Sequence, residues 1–480
     1  MSKLAPAKRF EFNSIMLNGD ADVIVVGGGI SGLAAAWALQ RRGVRVVLLE
    51  AAVRAGGTIG STREQGCLIE SGPNSMLETT PLIGELVGEL GIAGERIAAQ
   101  PAARSRYILR DGKLIALPLS PLAFFVTSLF SAGAKLRLLR EPFIGRGARA
   151  AEESVADFVR RRLGTEFLDY AINPFVAGVY AGDPETLSVQ AAFPRLHELE
   201  QKHGSLIRGQ LLGARERARN PDKSKQVAAM LSFRDGMQTL TDAIARRLTR
   251  IEFNAEAVRI VPGEHGYGVT VSGAAGGRNY RARAVLVATP AQAAARFTAP
   301  FAPHAAAALA AIPYPPLAVV VSAYRRDTIA HPLDGFGFLV PQRERRLVLG
   351  AIFSSTLFEH RAPENLVLLT SFIGGMRQPE LAQREEGEIA GFAQAELAAL
   401  LGAPVHADFI RVTRWPHAIP QYTLGHLDRI ARIEEAERNF PGLFFCANYR
   451  GGIAVGDCLK SADRAARQVA AFLGSGDGAA

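Results

Sequence analysis

A glycine-rich turn near the start of the chain restricts the fold more than any other feature of the sequence. Its residues, Gly27, Gly28, Gly29, Ile30, Ser31 and Gly32, match the pattern G-x-G-x-x-G. The turn follows an apolar run (22–26) typical of a buried strand and precedes a run (30–42) typical of a helix. In this setting the first glycine permits a tight turn, the second lets the backbone approach a pyrophosphate, and the third lets helix and strand pack closely. The segment therefore predicts a βαβ unit that binds a dinucleotide.

An acidic residue after the next apolar run supports this prediction. Gly43 ends the predicted helix, and residues 44–49 have the composition of a second buried strand. Glu50 closes that strand, where its carboxylate can accept hydrogen bonds from a ribose diol. An acid at this position disfavours the 2′-phosphate of NADP. The short connections predict a parallel sheet with a right-handed crossover.

Two further groups of glycines favour FAD over NAD. The segments R-A-G-G-T (54–58) and E-S-G-P-N-S (70–75) resemble the FAD-dependent amine oxidase superfamily. Near the other end of the chain, Gly451 and Gly452 follow a strand-like run and precede a helix that we expect to begin near Ile453. A second helix N-terminus, directed at the flavin pyrimidine edge, would stabilise negative charge on reduced flavin. We therefore expect non-covalent FAD.

The composition excludes several other classes of protein. Hydrophobic residues make up 48% of the 480 residues and charged residues 21%, so a large buried core is expected, in about three units. The net charge of +9 suits nucleic acid, an anionic membrane surface or an acidic small molecule. The basic residues are spread along the chain without a dense run, which argues against nucleic acid. The three cysteines lack CxxC spacing, so neither a disulfide framework nor a metal site is expected.

Several longer segments resemble one family, the oxygen-dependent protoporphyrinogen oxidases. The resemblance extends roughly from residue 22 to residue 469 and is carried by the blocks 106–107, 114–118, 174–184 (P-F-V-A-G-V-Y-A-G-D-P), 335–340, 353–355, 372–375 and 448–458. It implies an α/β and α+β architecture: a Rossmann-like FAD-binding domain of the GR2 type, similar to p-hydroxybenzoate hydroxylase, a substrate domain with a mixed sheet, and a helical membrane-binding insert.

We divide the chain accordingly, with 1–20 as a disordered tail. The FAD-binding domain is assigned to 21–97, 227–291 and 417–475, the membrane-binding domain to 98–200, and the substrate-binding domain to 201–226 and 292–416.

The resemblance also implies roles for individual residues. Arg106 would anchor a substrate propionate, Gly178 would let the macrocycle approach the backbone, and Leu339, Ile352 and Phe372 would sandwich the pyrrole rings. The residues expected to bind FAD are Gly27, Gly28, Gly29, Ile30, Ser31, Gly32, Glu50, Ala51, Gly57, Thr58, Gly72, Pro73, Asn74, Ser75, Val258, Trp415, Ile453, Ala454 and Val455. No catalytic side chain is expected, because the flavin does the chemistry, although Asn74 is a plausible polar neighbour of the ring. Cys67, Cys446 and Cys458 are assigned no chemical role.

The implied reaction is the six-electron oxidation of protoporphyrinogen IX, with three molecules of oxygen becoming hydrogen peroxide. Two enzymatic alternatives stay open: oxidation of coproporphyrinogen III on the same fold, and a flavin amine oxidase. A flavin-binding module without catalysis is the alternative from another class. The uncharged stretch 114–134 would make a poor spanning helix but could lie in a membrane interface. We therefore expect peripheral binding to an anionic membrane at its cytoplasmic face, and the homodimer stays open.

Overall fold

The computed structural model describes residues 21–147, 152–212, 228–272 and 277–475. The predicted tail 1–20 and most of 201–226 lie outside these ranges. Two seven-stranded sheets form the framework of the described chain. In spatial order the strands of the first sheet are Ile251–Glu252, Val46–Leu49, Ala21–Val26, Arg278–Val287, Gly266–Val271 and Ala257–Gly263, and Leu443–Phe445 pairs beside Arg278–Val287.

Helices cover both faces of the first sheet. On one face, Val23 and Val25 pack against apolar residues of the helices Ile30–Gln40, Gln238–Arg247 and Val455–Ser475. On the other face, Ile24 and Val26 pack against residues of Ala291–Thr298, Pro303–Ala310 and His426–Asn439. Strands buried on both faces need apolar residues at every position, which explains the unbroken apolar runs of the sequence.

The second sheet is mixed, as the sequence predicts. Its strands in spatial order are Phe409–Trp415, Leu317–Arg325, Leu366–Gly374, Gly350–Phe353, Gly337–Leu339, Arg106–Arg110 and Lys113–Ala116. Gly337–Leu339 and Arg106–Arg110 are parallel, and the other neighbouring strands are antiparallel. One face packs on the helix Glu386–Leu401 through Val320, Phe338 and Ala351, among others. Part of the opposite face packs on Cys67 and Ile69 through Val319, Val321 and Leu368.

Shorter elements complete the described fold. Ser61–Glu64 pairs with Cys67–Glu70, and Met76–Leu77, Met230–Phe233 and Arg96–Ala98 form a three-stranded sheet. The remaining helices are Pro81–Glu89, Pro121–Val126, Ala132–Leu139, Val155–Arg162, Thr165–Phe167, Leu168–Ile172 (a π-helix), Asn173–Tyr180, Val189–Ala192, Pro194–His203, Leu206–Leu212 and Ser354–Leu357. None of the described helices is long and apolar enough to cross a bilayer.

A buried charge cluster holds the helical region 121–212 together. The Arg162 guanidinium is fully buried, and its Nε donates to Glu200 at 2.6 Å while Nη1 donates to Glu141 at 3.1 Å. Glu141 also accepts the backbone N–H of Leu206 at 2.9 Å. Removing one member would leave an unpaired charge in the interior, which is far more costly than the pair is stabilising.

Three segments pack with parts of the chain from which the predicted division separates them, and the division itself stays a prediction. Residues 106–116, assigned to a helical domain, are strands of the second sheet, because their backbones pair with Gly337–Leu339. The helix Leu206–Leu212, assigned to the substrate domain, binds Glu141 in the helical region. Residues 291–310, also assigned largely to the substrate domain, form two helices that bury alanines against the first sheet. Each of these contacts joins segments that lie far apart in the sequence.

Candidate active site

The first predicted helix start has the geometry that a diphosphate needs. Gly27 has φ +106°, and a Cβ there would lie 2.9 Å from the backbone oxygen of Ala288. A Cβ on Gly32 would lie 1.9 Å from the Gly27 oxygen, so helix and turn are in backbone contact. A Cβ on Gly29, by contrast, would have no protein atom within 4 Å. Gly29 is the N-cap of the helix and provides no side-chain cap, so the first-turn N–H groups, including those of Ile30 and Ser31, face the space beside it.

Glu50 lies directly beside this turn. One carboxylate oxygen accepts the Gly28 N–H at 2.6 Å, and the other accepts the Ala52 N–H at 2.8 Å. Gly57, with φ +58°, approaches the turn from the other side, since a Cβ there would lie 3.3 Å from the Gly29 Cα. Ala51, Gly57 and Thr58 are exposed. The structure therefore brings these predicted cofactor residues together around the turn.

Val258 lies at an irregularity in the first sheet. The pairing between Ala257–Gly263 and Gly266–Val271 shifts register between Ala257 and Arg259, which leaves Val258 without a cross-strand partner. Its side chain is 52% exposed. The same segment contacts Glu50, the acid predicted to bind ribose, because the Ala255 N–H donates to the Glu50 carbonyl at 2.8 Å. A residue outside the ladder has backbone groups available for an adenine edge.

The second helix start lies near the first but begins later than predicted. The helix starts at Val455, two residues after Ile453, because Gly451 and Gly452 have φ values of +85° and +121° and delay its first turn. Val455 packs in the same apolar cluster as Ile30. A Cβ on Gly456 would lie 3.4 Å from the Leu77 oxygen, which places this helix start beside the strand Met76–Leu77 that follows Ser75.

The loop Gly72–Ser75 connects the cofactor residues to the second sheet. A Cβ on Gly72 would lie 2.1 Å from the Thr58 oxygen, so this loop and the Gly57–Thr58 turn are in backbone contact. The indole N–H of Trp415 donates to the Ser71 carbonyl at 2.6 Å. The amide of Asn74 donates to the Gly72 carbonyl at 3.2 Å, and both Pro73 and Ser75 are half-buried. Trp415, from a strand of the second sheet, thus fixes the loop at the edge of that sheet.

Four predicted substrate residues share one face of the second sheet. Arg106 pairs with Gly337, which pairs with Ile352, and Leu339 pairs with Gly350, which pairs with Phe372. Directly paired residues on neighbouring strands, and every second residue along one strand, point to the same side of a sheet. These registers therefore place four predicted substrate residues on one face: Arg106, Leu339, Ile352 and Phe372. Continuing the register across the sheet adds Trp415 to the same face.

Gly178 meets this face from the helix Asn173–Tyr180. A Cβ on Gly178 would lie 2.4 Å from Leu339 Cδ2, so the helix and the strand are as close as a glycine allows. Leu339, Ile352 and Phe372 are each half-buried. Arg106 is exposed at the end of its strand and stacks over the Phe336 ring at 5.4 Å. The arrangement can accept a flat apolar ring system with an acidic group at its edge.

Sequence reasoning missed the buried carboxyl group of Glu70, which lies just before the loop Gly72–Ser75. Glu70 is 4% exposed, and it accepts the Ser61 hydroxyl at 2.6 Å and the Met237 N–H at 2.9 Å. Burial raises the pKa of Glu70 to about 7, although the two hydrogen bonds and the Arg361 guanidinium oppose the rise. Glu70 belongs to the quoted E-S-G-P-N-S segment, but only its burial between two segments distant in sequence distinguishes it from an exposed strand residue.

This raised pKa predicts how stability changes with pH. Between pH 4.5 and pH 7 the unfolded chain releases the Glu70 proton while the folded chain retains it, so Glu70 makes the fold less stable as pH rises. Glu70→Gln cannot titrate. Relative to the parent, the variant should gain on the order of 2 kcal/mol of unfolding free energy between pH 4.5 and pH 7.5. Denaturant unfolding of both holoproteins at several pH values measures this difference.

The exposed Glu388→Gln is the matched control and should show no such trend. A difference between the Glu70 variant and the parent that stays constant with pH would contradict the raised pKa.

The described residues fit FAD. The open space at Gly29 provides room for a diphosphate, and Glu50 beside it can accept hydrogen bonds from a ribose. Val258 has backbone groups available for an adenine edge, and the second helix start offers N–H donors to a pyrimidine. Cys67, Cys446 and Cys458 are buried without disulfides, and burial raises the pKa of the Cys446 thiol to about 12.

Comparison with known proteins agrees with this geometry. A family model described as flavin containing amine oxidoreductase matches residues 30–470. A mitochondrial protoporphyrinogen oxidase of Nicotiana tabacum is 34% identical, over 94% of this chain and 95% of the relative. A coproporphyrinogen III oxidase of Bacillus subtilis (strain 168) is 26% identical, over 95% of this chain and all of the relative. A provisionally named protoporphyrinogen oxidase of Exiguobacterium sp. 255-15 superposes with a TM-score of 0.78 at 23% identity, over 95% of this chain and 99% of that one. This last likeness shows the fold.

Proposed function

We propose, from the premise that this chain belongs to the flavin-containing amine oxidoreductase family, that it oxidises protoporphyrinogen IX to protoporphyrin IX in haem biosynthesis. The chain is an FAD-dependent oxidoreductase. FAD, when bound, accepts a hydride from a carbon donor and passes the electrons to oxygen. Three such two-electron steps remove six hydrogen atoms from the porphyrinogen and convert three molecules of oxygen to hydrogen peroxide.

One observation carries the choice of substrate class. The apolar residues Leu339, Ile352 and Phe372 lie on one sheet face with Arg106. Trp415 on that face donates a hydrogen bond to Ser71, directly before the loop Gly72–Ser75. A tetrapyrrole is a large apolar ring system with carboxylates at its edge. The face offers apolar contact for the rings, while the arginine fork can bind a propionate through two parallel hydrogen bonds. Holding the ring beside the flavin provides most of the catalysis, because no protein nucleophile is required.

The alternative substrate is coproporphyrinogen III, as the name of the Bacillus relative suggests. That molecule carries four carboxylates, so its site needs more free cations than a site for protoporphyrinogen. Two other arginines on this face are already paired, Arg110 with Glu166 at 2.6 Å and Arg411 with Glu64 at 3.9 Å. No described carboxylate pairs with Arg106. Among the described cations of this face, Arg106 and, by register, Lys113 have no carboxylate partner, which is too few for four carboxylates.

A comparison of the two porphyrinogens tests this proposal. Purified holoenzyme should lose its flavin absorbance when mixed with protoporphyrinogen IX without oxygen, and should release peroxide when oxygen is admitted. Faster reduction by coproporphyrinogen III would favour the alternative substrate. Reduction by simple amines, with no reaction of either porphyrinogen, would instead indicate a flavin amine oxidase. A bound flavin that none of these compounds reduces would indicate a binding module.

We further propose that the FAD-binding part is of the GR2 type.

We also propose that the helical region 121–212 and the segment before it bind a membrane surface. Seven large apolar side chains of the segment 119–143 are exposed, and we term them the apolar face: Leu119, Leu122, Phe125, Val126, Leu136, Leu139 and Phe143. Arg140 is exposed in the same segment. Exposed apolar groups of this size mark contact surfaces, and neighbouring arginines favour anionic lipid. These features support peripheral attachment, and we propose the cytoplasmic face of the cell membrane as its place.

Replacing one residue of the apolar face should weaken vesicle binding. Leu122 is 75% exposed, and Leu122→Ser removes an apolar group worth about 1.5 kcal/mol when buried in lipid, or about tenfold in partition. Sedimentation of the holoenzyme with vesicles containing phosphatidylserine measures the effect. Val405→Ser removes a similarly exposed side chain at another site and should change nothing. Equal binding of the Leu122 variant and the parent would count against this face.

The homodimer stays a prediction that sedimentation in detergent can test.

A further inference from the structure

A tyrosine outside every predicted site holds the loop before the second helix start. Tyr422 is 3% exposed, and its hydroxyl donates to the Asn448 carbonyl at 2.7 Å. The same hydroxyl accepts the Gly452 N–H at 2.9 Å. One side-chain oxygen thus connects both ends of the loop 448–452, whose last two residues are glycines at positive φ. Burial raises the pKa of Tyr422, so the hydroxyl keeps the proton that it donates.

The surroundings fix the ring of Tyr422 from several sides. His426 stacks on it with centroids 4.1 Å apart and planes 12° apart, and the His426 Nε2 lies 3.0 Å from the Tyr449 carbonyl. Since a carbonyl only accepts, Nε2 carries the proton, and burial lowers the pKa of His426 to about 4, so the ring is neutral at physiological pH. A neutral stacked partner fixes the ring without placing a charge beside the loop.

Tyr422 also contacts the segment that carries Gly178. Its ring meets that of Tyr180 edge-on at 6.5 Å, and its carbonyl accepts the Ser188 N–H at 2.9 Å. The adjacent Gln421 amide donates to the Tyr180 carbonyl at 2.7 Å. The same short segment therefore touches both the loop before the second helix start and the end of the helix Asn173–Tyr180.

We propose that Tyr422 is a positioning residue that sets where the N–H groups of the second helix start point, and thereby the reduction potential of the bound flavin. The inference rests on the proposed position of the flavin pyrimidine edge at Ile453–Val455. Donors aimed at that edge stabilise the negative charge that reduction places there, so their direction alters the affinity for reduced flavin more than that for oxidised flavin. Because Tyr422 is only 3% exposed, we expect it to act through the loop and not by contact with flavin or substrate.

Tyr422→Phe in the holoenzyme tests this directly. The variant keeps the ring but leaves the Gly452 N–H and the Asn448 carbonyl without their shared partner. We expect the preference for reduced over oxidised flavin to fall about tenfold, which corresponds to a midpoint potential about 30 mV lower. Faster hydrogen exchange of the 451–455 amides in the apoprotein should accompany the change. An unchanged potential in a folded, flavin-loaded variant would overturn the proposal.

Tyr267→Phe is the matched control. Tyr267 is also buried, and its hydroxyl donates to the Phe440 carbonyl at 2.9 Å, at the hairpin edge of the first sheet. It should lose a similar amount of stability without a change in potential, whereas an equal shift in both variants would contradict a specific role for Tyr422. If Tyr422→Phe yields no holoenzyme, 4-aminophenylalanine at position 422 still donates to Asn448. This replacement should give a potential below the parental value, and a parental value would also overturn the proposal.

A third variant separates this inference from the proposed flavin position. Ala454 is exposed at the helix start, and Ala454→Asp adds a negative charge where the pyrimidine edge is proposed to lie. The charge should lower the potential and weaken FAD binding. If Ala454→Asp changes neither quantity, the flavin position is wrong. If it lowers the potential while Tyr422→Phe does not, only the role of Tyr422 fails.

Discussion

Gly29→Ala is expected to weaken FAD binding by about one to two orders of magnitude while leaving the fold intact. A Cβ at this position has no protein atom within 4 Å, and the backbone of Gly29 (φ −68°) suits alanine. The added methyl group therefore meets nothing until a diphosphate occupies the space. Overpacking of this kind costs about 1–3 kcal/mol, which is about tenfold to a hundredfold in affinity. Titration of the apoprotein with FAD, followed by flavin fluorescence, measures the change.

Two further glycines make this experiment specific. Gly391, in the helix Glu386–Leu401, also has no atom within 4 Å of its Cβ, so Gly391→Ala should bind FAD like the parent. Gly32→Ala, in contrast, places a methyl group against the Gly27 backbone and should destabilise the protein even without cofactor. Parental FAD affinity in Gly29→Ala would mean that the diphosphate lies elsewhere.

Arg106→Ala is expected to lower kcat/KM for protoporphyrinogen IX by about tenfold to a hundredfold. The guanidinium has no carboxylate partner among the described residues, so it is available to a propionate. A charge-assisted bidentate pair is worth about 1.5–3 kcal/mol, which is about tenfold to a hundredfold. The loss should occur mainly in KM. The propionate lies away from the reacting carbon, so its contact with Arg106 stabilises the ground state and the transition state equally.

Two arginine variants check the origin of this effect. Arg106→Lys keeps the charge but loses the planar fork, so its kcat/KM should lie between the parent and Arg106→Ala. Arg104→Ala removes an exposed arginine two positions earlier and should behave like the parent. Equal kinetics of the Arg104 and Arg106 alanine variants would show that Arg106 is an ordinary surface residue.

The dinucleotide site could be predicted from the sequence because its requirements are local. A strand, a turn of glycines, a helix and a closing acid must follow one another at fixed spacing, and residues 22–50 contain all four. Four strands of the second sheet, between residues 317 and 374, were also predictable, since their β-rich runs lie close together in the chain. The exact start of the last helix could not be predicted. Gly451 and Gly452 adopt positive φ values before it, and composition does not reveal that backbone geometry.

Only the tertiary structure decided which distant residues share a site. The resemblance suggested Arg106 and Phe372 one by one, but strand pairing through Gly337 and Gly350 put them on a common face. Glu70 and Tyr422 acquire their properties from burial between segments far apart in sequence. Local pattern specifies a backbone turn, because neighbouring residues alone satisfy its hydrogen bonds and sterics. Sheet register and burial depend on contacts between distant segments, so they are fixed only when the whole chain packs.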